Sequence, residues 1–175
     1  MYITVVSQID LCYPCMQISG YVSCPNEPIF MVLHQTMQYL FHHLHLLIMY
    51  PSKEKKKDGN ALTTHWGKGK AKFLPSSFGD GLVNFNKANH ACNLQDHRSI
   101  SFSVHLLNGV AISWKCKKQP DTALHLTGAE IHALFSGAKK TKILCQFSAS
   151  IGFPVGPAMP MMEDNQSTIK CVKAT

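Results

Sequence analysis

Acidic side chains are scarce in this chain: ten Asp and Glu face seventeen Lys and Arg across 175 residues, a formal net charge of +7. That balance, with a pI near 9.1, disfavours basic partners and points to polyanions, nucleic acid first among them. Long hydrophobic runs are missing too. The most apolar stretch, Tyr39 to Tyr50, spans about twelve residues broken by His42, His43 and His45, whereas a membrane helix needs about 20. No secretory signal with a basic start and an apolar core opens the chain, so the expectation is an intracellular protein, cytoplasmic or nuclear, with no membrane partner. The seven cysteines are odd in number and scattered, a pattern of reduced thiols rather than of a disulfide framework. With 45% apolar and only 15% charged residues, disorder and collagen are excluded. One globular domain, with a smaller second unit, fits the length.

Apolar positions Ile9, Cys12, Tyr13, Met16, Ile18 and Tyr21 recur at spacings near three and four, which predicts a helix, kinked or delayed by Pro14. A second helix is expected after Pro25, with Asn26 as N-cap, Pro28 in the first turn, and a face of Ile29, Val32, Leu33, Thr36, Met37, Leu40 and Phe41. Residues 1–52 thus read as a helical hairpin. The lysine-rich stretch within 53–78 has no apolar face and reads as a basic linker.

Beyond it, in 79–175, the period changes to two: Ser99, Ser101 and Ser103 alternate with Ile100, Phe102 and Val104, the mark of a strand. Asn108-Gly109 between Leu107 and Val110 is a strong hairpin signal, because both residues tolerate positive φ. A helix is expected from Thr127, capped by Thr127 with Glu130 three residues on, and with an apolar stripe of Ile131, Leu134, Phe135 and Ala138. It should stop before Gly152-Phe153-Pro154. A short strand at Met161–Met162 and a helix opening at Gln166 complete the order.

That order, and the wording of four segments, resembles the end of a copia-type retrotransposon Pol polyprotein. Gly109 to Pro120 is similar to the family's "GGAISWKSKKQP"; Ala129 to Leu134 to its "AEYxAL"; Glu163 to Lys170 to its "xDNQSAIKL"; and Arg98 to Ser101 to the start of "RKSxSGY". Upstream, the segments around Asp10 and from His34 to Leu40 resemble the tail of its reverse transcriptase region. The resemblance implies an incomplete RNase H-like α/β domain, a mixed sheet with helices, preceded by the helical hairpin. Its fifth strand and last helix would lie beyond Thr175. The activity implied is metal-assisted cleavage of RNA in an RNA–DNA hybrid, with that hybrid or a complete Pol protein as partner.

Such chemistry uses two Mg²⁺ ions about 4 Å apart, held by converging carboxylates. By resemblance, Glu130 and Asp164 are two of the four acids, the catalytic and metal-binding remnant. The family's "DADWA" aligns with Lys87 to Ala91, so Lys87 stands at the first acid position and Asn89 at the second Asp. At an effective dielectric near 20, exchanging a negative for a positive group beside a divalent ion costs on the order of 10 kcal/mol. Substitutes are not evident. Asp80 is an odd step from Lys87, Asp96 belongs to the following turn, and Glu163 should point opposite to Asp164. Gly128 removes one further acid found in many members. The expectation is therefore a catalytically inactive remnant with doubtful Mg²⁺ binding.

Other groups have plainer readings beside sharper ones. Lys115, Lys117 and Lys118 on a strand, with Lys139, Lys140 and Lys142 on the long helix, could follow a phosphate backbone or simply form a solvated face. Trp114 reads as core, and Trp66 could be core or a stacking platform. Cys12 and Cys15, at a spacing suited to metal or redox chemistry, together with His42, His43 and His45, make a small Cys/His metal-binding protein a further alternative. Ordinary packing cysteines and a surface histidine cluster are the simpler account.

Overall fold

The computed structural model describes residues 8–43, 81–93, 96–156 and 159–174. The chain divides into two units, Met1–Phe73 and Leu74–Thr175. The linker expected at 53–78, Trp66, His45 and Asp80 lie outside the described residues.

In the first unit a 3-10 turn, Ile9–Leu11, runs directly into helix α1, Cys12–Ser19. Pro14 is the third residue of α1 and so lies in its first turn, where the backbone N–H it lacks has no intrahelical acceptor. The delayed start is therefore what accommodates it. Helix α2, Glu27–His42, begins as its sequence dictates, with the Asn26 side chain accepting from the Ile29 N–H at 3.2 Å and Pro28 in the first turn. Tyr39 Oη donates to Asp10 Oδ2 at 2.5 Å and ties α2 to the turn before α1, and this bond pushes the phenol pKa up to about 12. Thr36 is the buried position of α2, while Phe30, Met31, Met37 and Phe41 are exposed.

The second unit is a mixed α/β fold. Strands β1 (Leu82–Asn89), β2 (Ile100–Leu107) and β3 (Val110–Lys118) run antiparallel in succession, and β4 (Met161–Met162) joins β1 in parallel, giving the order β3-β2-β1-β4. The β2–β3 turn is the expected Asn108-Gly109 pair, at φ 51° and 82°, the left-handed values that a tight hairpin demands. Helix α3, Leu126–Ser150, packs on β1 and β2. Helix α4, Gln166–Lys173, is capped by Asn165, whose side chain accepts from the N–H groups of Ser167 and Thr168 at 2.9 and 3.1 Å.

Two expectations for the long helix are corrected. It starts at Leu126 with His125 in the cap position and no side-chain capping bond. Glu130 cannot reach back to close a capping box, because its carboxylate is buried and bound to β1. The buried stripe is also different. Ala129, Glu130, Ala133, Gly137 and Thr141 face inward, while Ile131 and Phe135 are exposed. These inward residues recur every three or four positions and are mostly small, which lets the helix axis approach the sheet closely. At Gly137 an added Cβ would collide with the side-chain oxygens of Asn86 and Asn84, the latter at 2.7 Å.

The interface beneath α3 is polar to an unusual degree. Ala88, Ala129 and Ala133 form its apolar cluster, and around them lie buried Asn84, Asn86, Ser103, His105, Gln119, Glu130 and Thr141. Gln119 is held by donating to the Ser101 hydroxyl at 2.7 Å and to the Ala129 carbonyl at 2.9 Å. Asn84 Nδ2 donates to the Val104 carbonyl at 3.2 Å and meets His105 Nε2 at 3.1 Å. Polar groups buried in this way must be matched, since an unmatched one costs about 1–3 kcal/mol. Trp114, expected in the core, is half-buried on β3. No disulfide joins any of the seven cysteines.

Candidate functional site

The parallel pairing of β4 with β1 sets Asn84 beside Met161 and Phe85 beside Met162. One step further along both segments, three carboxylates meet. Glu130 of α3, Glu163 and Asp164 bring one oxygen each to within 4.8 Å of one another, and Glu163 and Asp164 line a pocket of about 410 Å³ together with Phe85, Phe102 and Met162. Into this cluster comes Lys87 from β1, its Nζ 2.7 Å from Asp164 Oδ2.

Each acid has a distinct electrostatic state. Glu130 is 3% exposed, and its Oε2 accepts from the Ala88 N–H at 2.6 Å. Burial pushes its pKa up, more than that bond draws it down. Glu163 is likewise raised by burial, although its Oε1 accepts from the Asn165 N–H at 3.1 Å. Its Oε2 is buried with no hydrogen-bond partner among the described residues. Asp164 moves the other way: the Lys87 ammonium holds its carboxyl below the ordinary value, and Asp164 in turn raises Lys87.

Lys87, Glu130 and Asp164, matched from separate motifs, thus come together in space. Glu163 joins them, which corrects the expectation that it would point away from Asp164. Strand alternation fixes the facing of neighbours only within a strand, and β4 ends at Met162. Asp96 lies elsewhere, paired to Lys118 Nζ at 2.9 Å and to Arg98.

Three carboxylates with a partnerless buried oxygen have the chemistry of a cation site. The pair of Mg²⁺ ions implied by the resemblance does not fit it. An ammonium at hydrogen-bond distance from Asp164 uses the oxygen a metal would need and adds a positive charge beside it.

The lysines expected to follow a phosphate backbone are distributed unevenly. Lys118 is committed to Asp96, and Lys139 Nζ sits 4.3 Å over the Phe135 ring. Lys117 and Lys142 are exposed on β3 and α3. Lys115 and Lys140 line one pocket. In the first unit, the imidazoles of His42 and His43 engage the carbonyls of Gln38 and Tyr39 at 2.8 and 3.0 Å. Burial raises the Cys15 thiol pKa, against thiolate formation. Among the described residues, Glu130, Glu163 and Asp164 are the one cluster with metal-ligand spacing, so Cys12 and Cys15 do not form one with those histidines. No described helix is long and apolar enough to cross a membrane.

No protein-family model matches the chain, and neither a curated protein nor a solved structure matches it.

Proposed function

We propose that this chain is a catalytically silent RNase H-like module of the copia-type Pol class, in which Lys87 takes the place of a metal-binding carboxylate. The observation that carries the reading is the Lys87–Asp164 contact inside a three-carboxylate cluster. Positions 87, 130 and 164 come from three separate motifs of the resemblance, and their meeting is what a shared site requires. A sheet in the order β3-β2-β1-β4 with one parallel pair supports the same reading. Charge decides the chemistry: two-metal hydrolysis needs carboxylates around both ions, and here a cation is built into the cluster.

The test is Mg²⁺- and Mn²⁺-dependent cleavage of a labelled RNA–DNA hybrid by the purified chain beside Lys87→Asp and Asp164→Asn. No cleavage by the unmodified chain is expected. Metal-dependent cleavage that Asp164→Asn abolishes would overturn the proposal.

A second reading, sequence-blind nucleic-acid binding through the lysine faces, is favoured by the exposure of Lys115, Lys117, Lys140 and Lys142 on adjoining elements. Contacts of this kind release counterions, so affinity must fall as salt rises. Hybrid binding that is unchanged between low and moderate salt would exclude it.

A further inference from the structure

Away from the acid cluster, β2, β3 and α3 enclose a second pocket, of about 160 Å³, lined by Ser103, His105, Ser113, Trp114, Lys115, Ser136 and Lys140. It is smaller than the roughly 300–1,000 Å³ of sites that hold drug-sized ligands. Its size suits one compact polar group. None of the seven lining residues is acidic, two are lysines on different elements, and three carry hydroxyls.

The pocket is anchored by rigid structure. His105 pairs with Ser113 across β2–β3, and Ser103 with Lys115, so these four share one face of the ladder. Ser136 and Lys140 are four residues apart on α3 and therefore neighbours on its surface. Ser103 and His105 are buried, at 8% and 0% exposure, so the deep wall is polar and withdrawn from water.

His105 keeps that wall from carrying a third cation. Asn84 Nδ2 already donates to a carbonyl, which fixes the amide orientation. His105 Nε2 lies 3.1 Å from Asn84 Nδ2, 3.2 Å from the Thr141 hydroxyl and 3.4 Å from the Gly137 carbonyl, so the ring is held inside this network. Burial, and secondarily the Lys140 charge, lower the His105 pKa, partly offset by the Gly137 and Ser113 backbone. The charge of the pocket is therefore that of Lys115 and Lys140.

We propose that this pocket is a binding site for a single phosphate-type oxyanion, clamped between Lys115 and Lys140 and hydrogen-bonded by the hydroxyls of Ser103, Ser113 and Ser136. A tetrahedral oxyanion offers acceptors in several directions, and hydroxyls and ammonium groups supply donors without geometric preference. The group can arrive as inorganic phosphate or as one phosphodiester of a nucleic acid. The site stands on its own lining and goes beyond the ribonuclease-like reading, whose failure would leave it intact.

The full chain is titrated with inorganic phosphate at constant ionic strength, with chloride as the reference anion, while the Ser136, Lys140 and His105 resonances are followed by NMR. Saturable one-to-one binding is expected, with the His105 imidazole pKa moving upward as the anion offsets Lys140. Lys115→Gln and Lys140→Gln should each weaken binding about tenfold, the scale of a lost charged hydrogen bond. Both lysines are exposed, so the variants fold, and circular dichroism checks this. Lys170→Gln, exposed on α4 and outside the pocket lining, should leave the affinity unchanged. No saturable binding, or equal loss in all three variants, would overturn the site. An RNA–DNA hybrid added to the phosphate complex identifies the source: displacement assigns the pocket to a backbone phosphodiester, and retention assigns it to free phosphate.

Discussion

The Lys87 ammonium and the Asp164 carboxylate, 77 positions apart in sequence, lie 2.7 Å from each other where β1 runs alongside the segment after β4. The two side chains are 65% and 62% exposed, so the pair adds little to stability, about 0–1 kcal/mol. Its consequence is local. It converts a cluster that would attract cations into one that already contains a cation.

Replacing Lys87 by Gln should therefore change the site and spare the fold. The Asp164 pKa is expected to rise toward its ordinary value of 3.8, because the ammonium is the main cause of its depression. Mn²⁺ affinity should increase, read as paramagnetic broadening near Glu163 and Asp164. The urea midpoint should move by less than about 1 kcal/mol equivalent. An Asp164 pKa unchanged in the variant would mean that another group holds it down.

Glu130 gives a pH signature of its own. Its folded-state pKa lies above the ordinary 4.5, mainly through burial, so ionisation costs stability. The penalty is absent below 4.5 and complete above the raised value, so this residue makes the fold more stable as pH falls through that window. In Glu130→Gln the amide oxygen can still accept from Ala88 N–H while no charge is buried. The variant should gain stability relative to the unmodified chain near neutral pH and lose that advantage in acid. Urea melts at both pH values measure the difference.

At Gly137 helix α3 lies tight against the side chains of β1. Alanine is the better helix former by about 0.8–1.0 kcal/mol, which on an exposed surface would make Gly137→Ala stabilising. Here the added Cβ would meet the Asn84 and Asn86 side chains, which are buried and bonded to each other. Overpacking of this kind costs about 1–3 kcal/mol, so the sum is expected to be net destabilising or at best neutral. A raised melting temperature for Gly137→Ala would show that the asparagines yield freely.

What the sequence discloses here is what short-range chemistry determines. The Asn108-Gly109 hairpin and the Asn26 cap need only their own neighbours, and both form where the residues predict them. The meeting of Lys87, Glu130 and Asp164 was legible only through the motif resemblance, since nothing local relates positions so far apart. Glu163 escapes the strand rule because β4 ends one residue before it. The inward stripe of α3 departs from the bulky one that hydrophobicity predicts. A helix seated on polar Asn84, Asn86 and Ser103 instead buries its small residues and leaves Ile131 and Phe135 outside. That Lys115 and Lys140, among the lysines the sequence offers for phosphate, line one pocket follows from packing that neither local segment discloses.

His105 offers the sharpest test of that polar interface. It is fully buried, and its Nε2 lies 3.1 Å from Asn84 Nδ2 and 3.2 Å from the Thr141 hydroxyl, which itself donates to the Gly137 carbonyl at 3.0 Å. Burial lowers its pKa below the ordinary 6.5, so the unfolded chain takes up its proton first. The stability that neutral His105 contributes is complete above 6.5 and is lost as pH falls from there toward the folded-state value. Glu130 and Glu163 act in the opposite sense, so the comparison must be between variants at matched pH. The urea midpoint of the unmodified chain should fall relative to that of His105→Gln between about pH 7.5 and about pH 5.5. His105→Gln, which carries no titratable ring, is expected to be less stable at the higher pH and to approach the unmodified chain at the lower. Parallel pH dependences for the two proteins would mean that the imidazole is charged, or solvated, in the folded state.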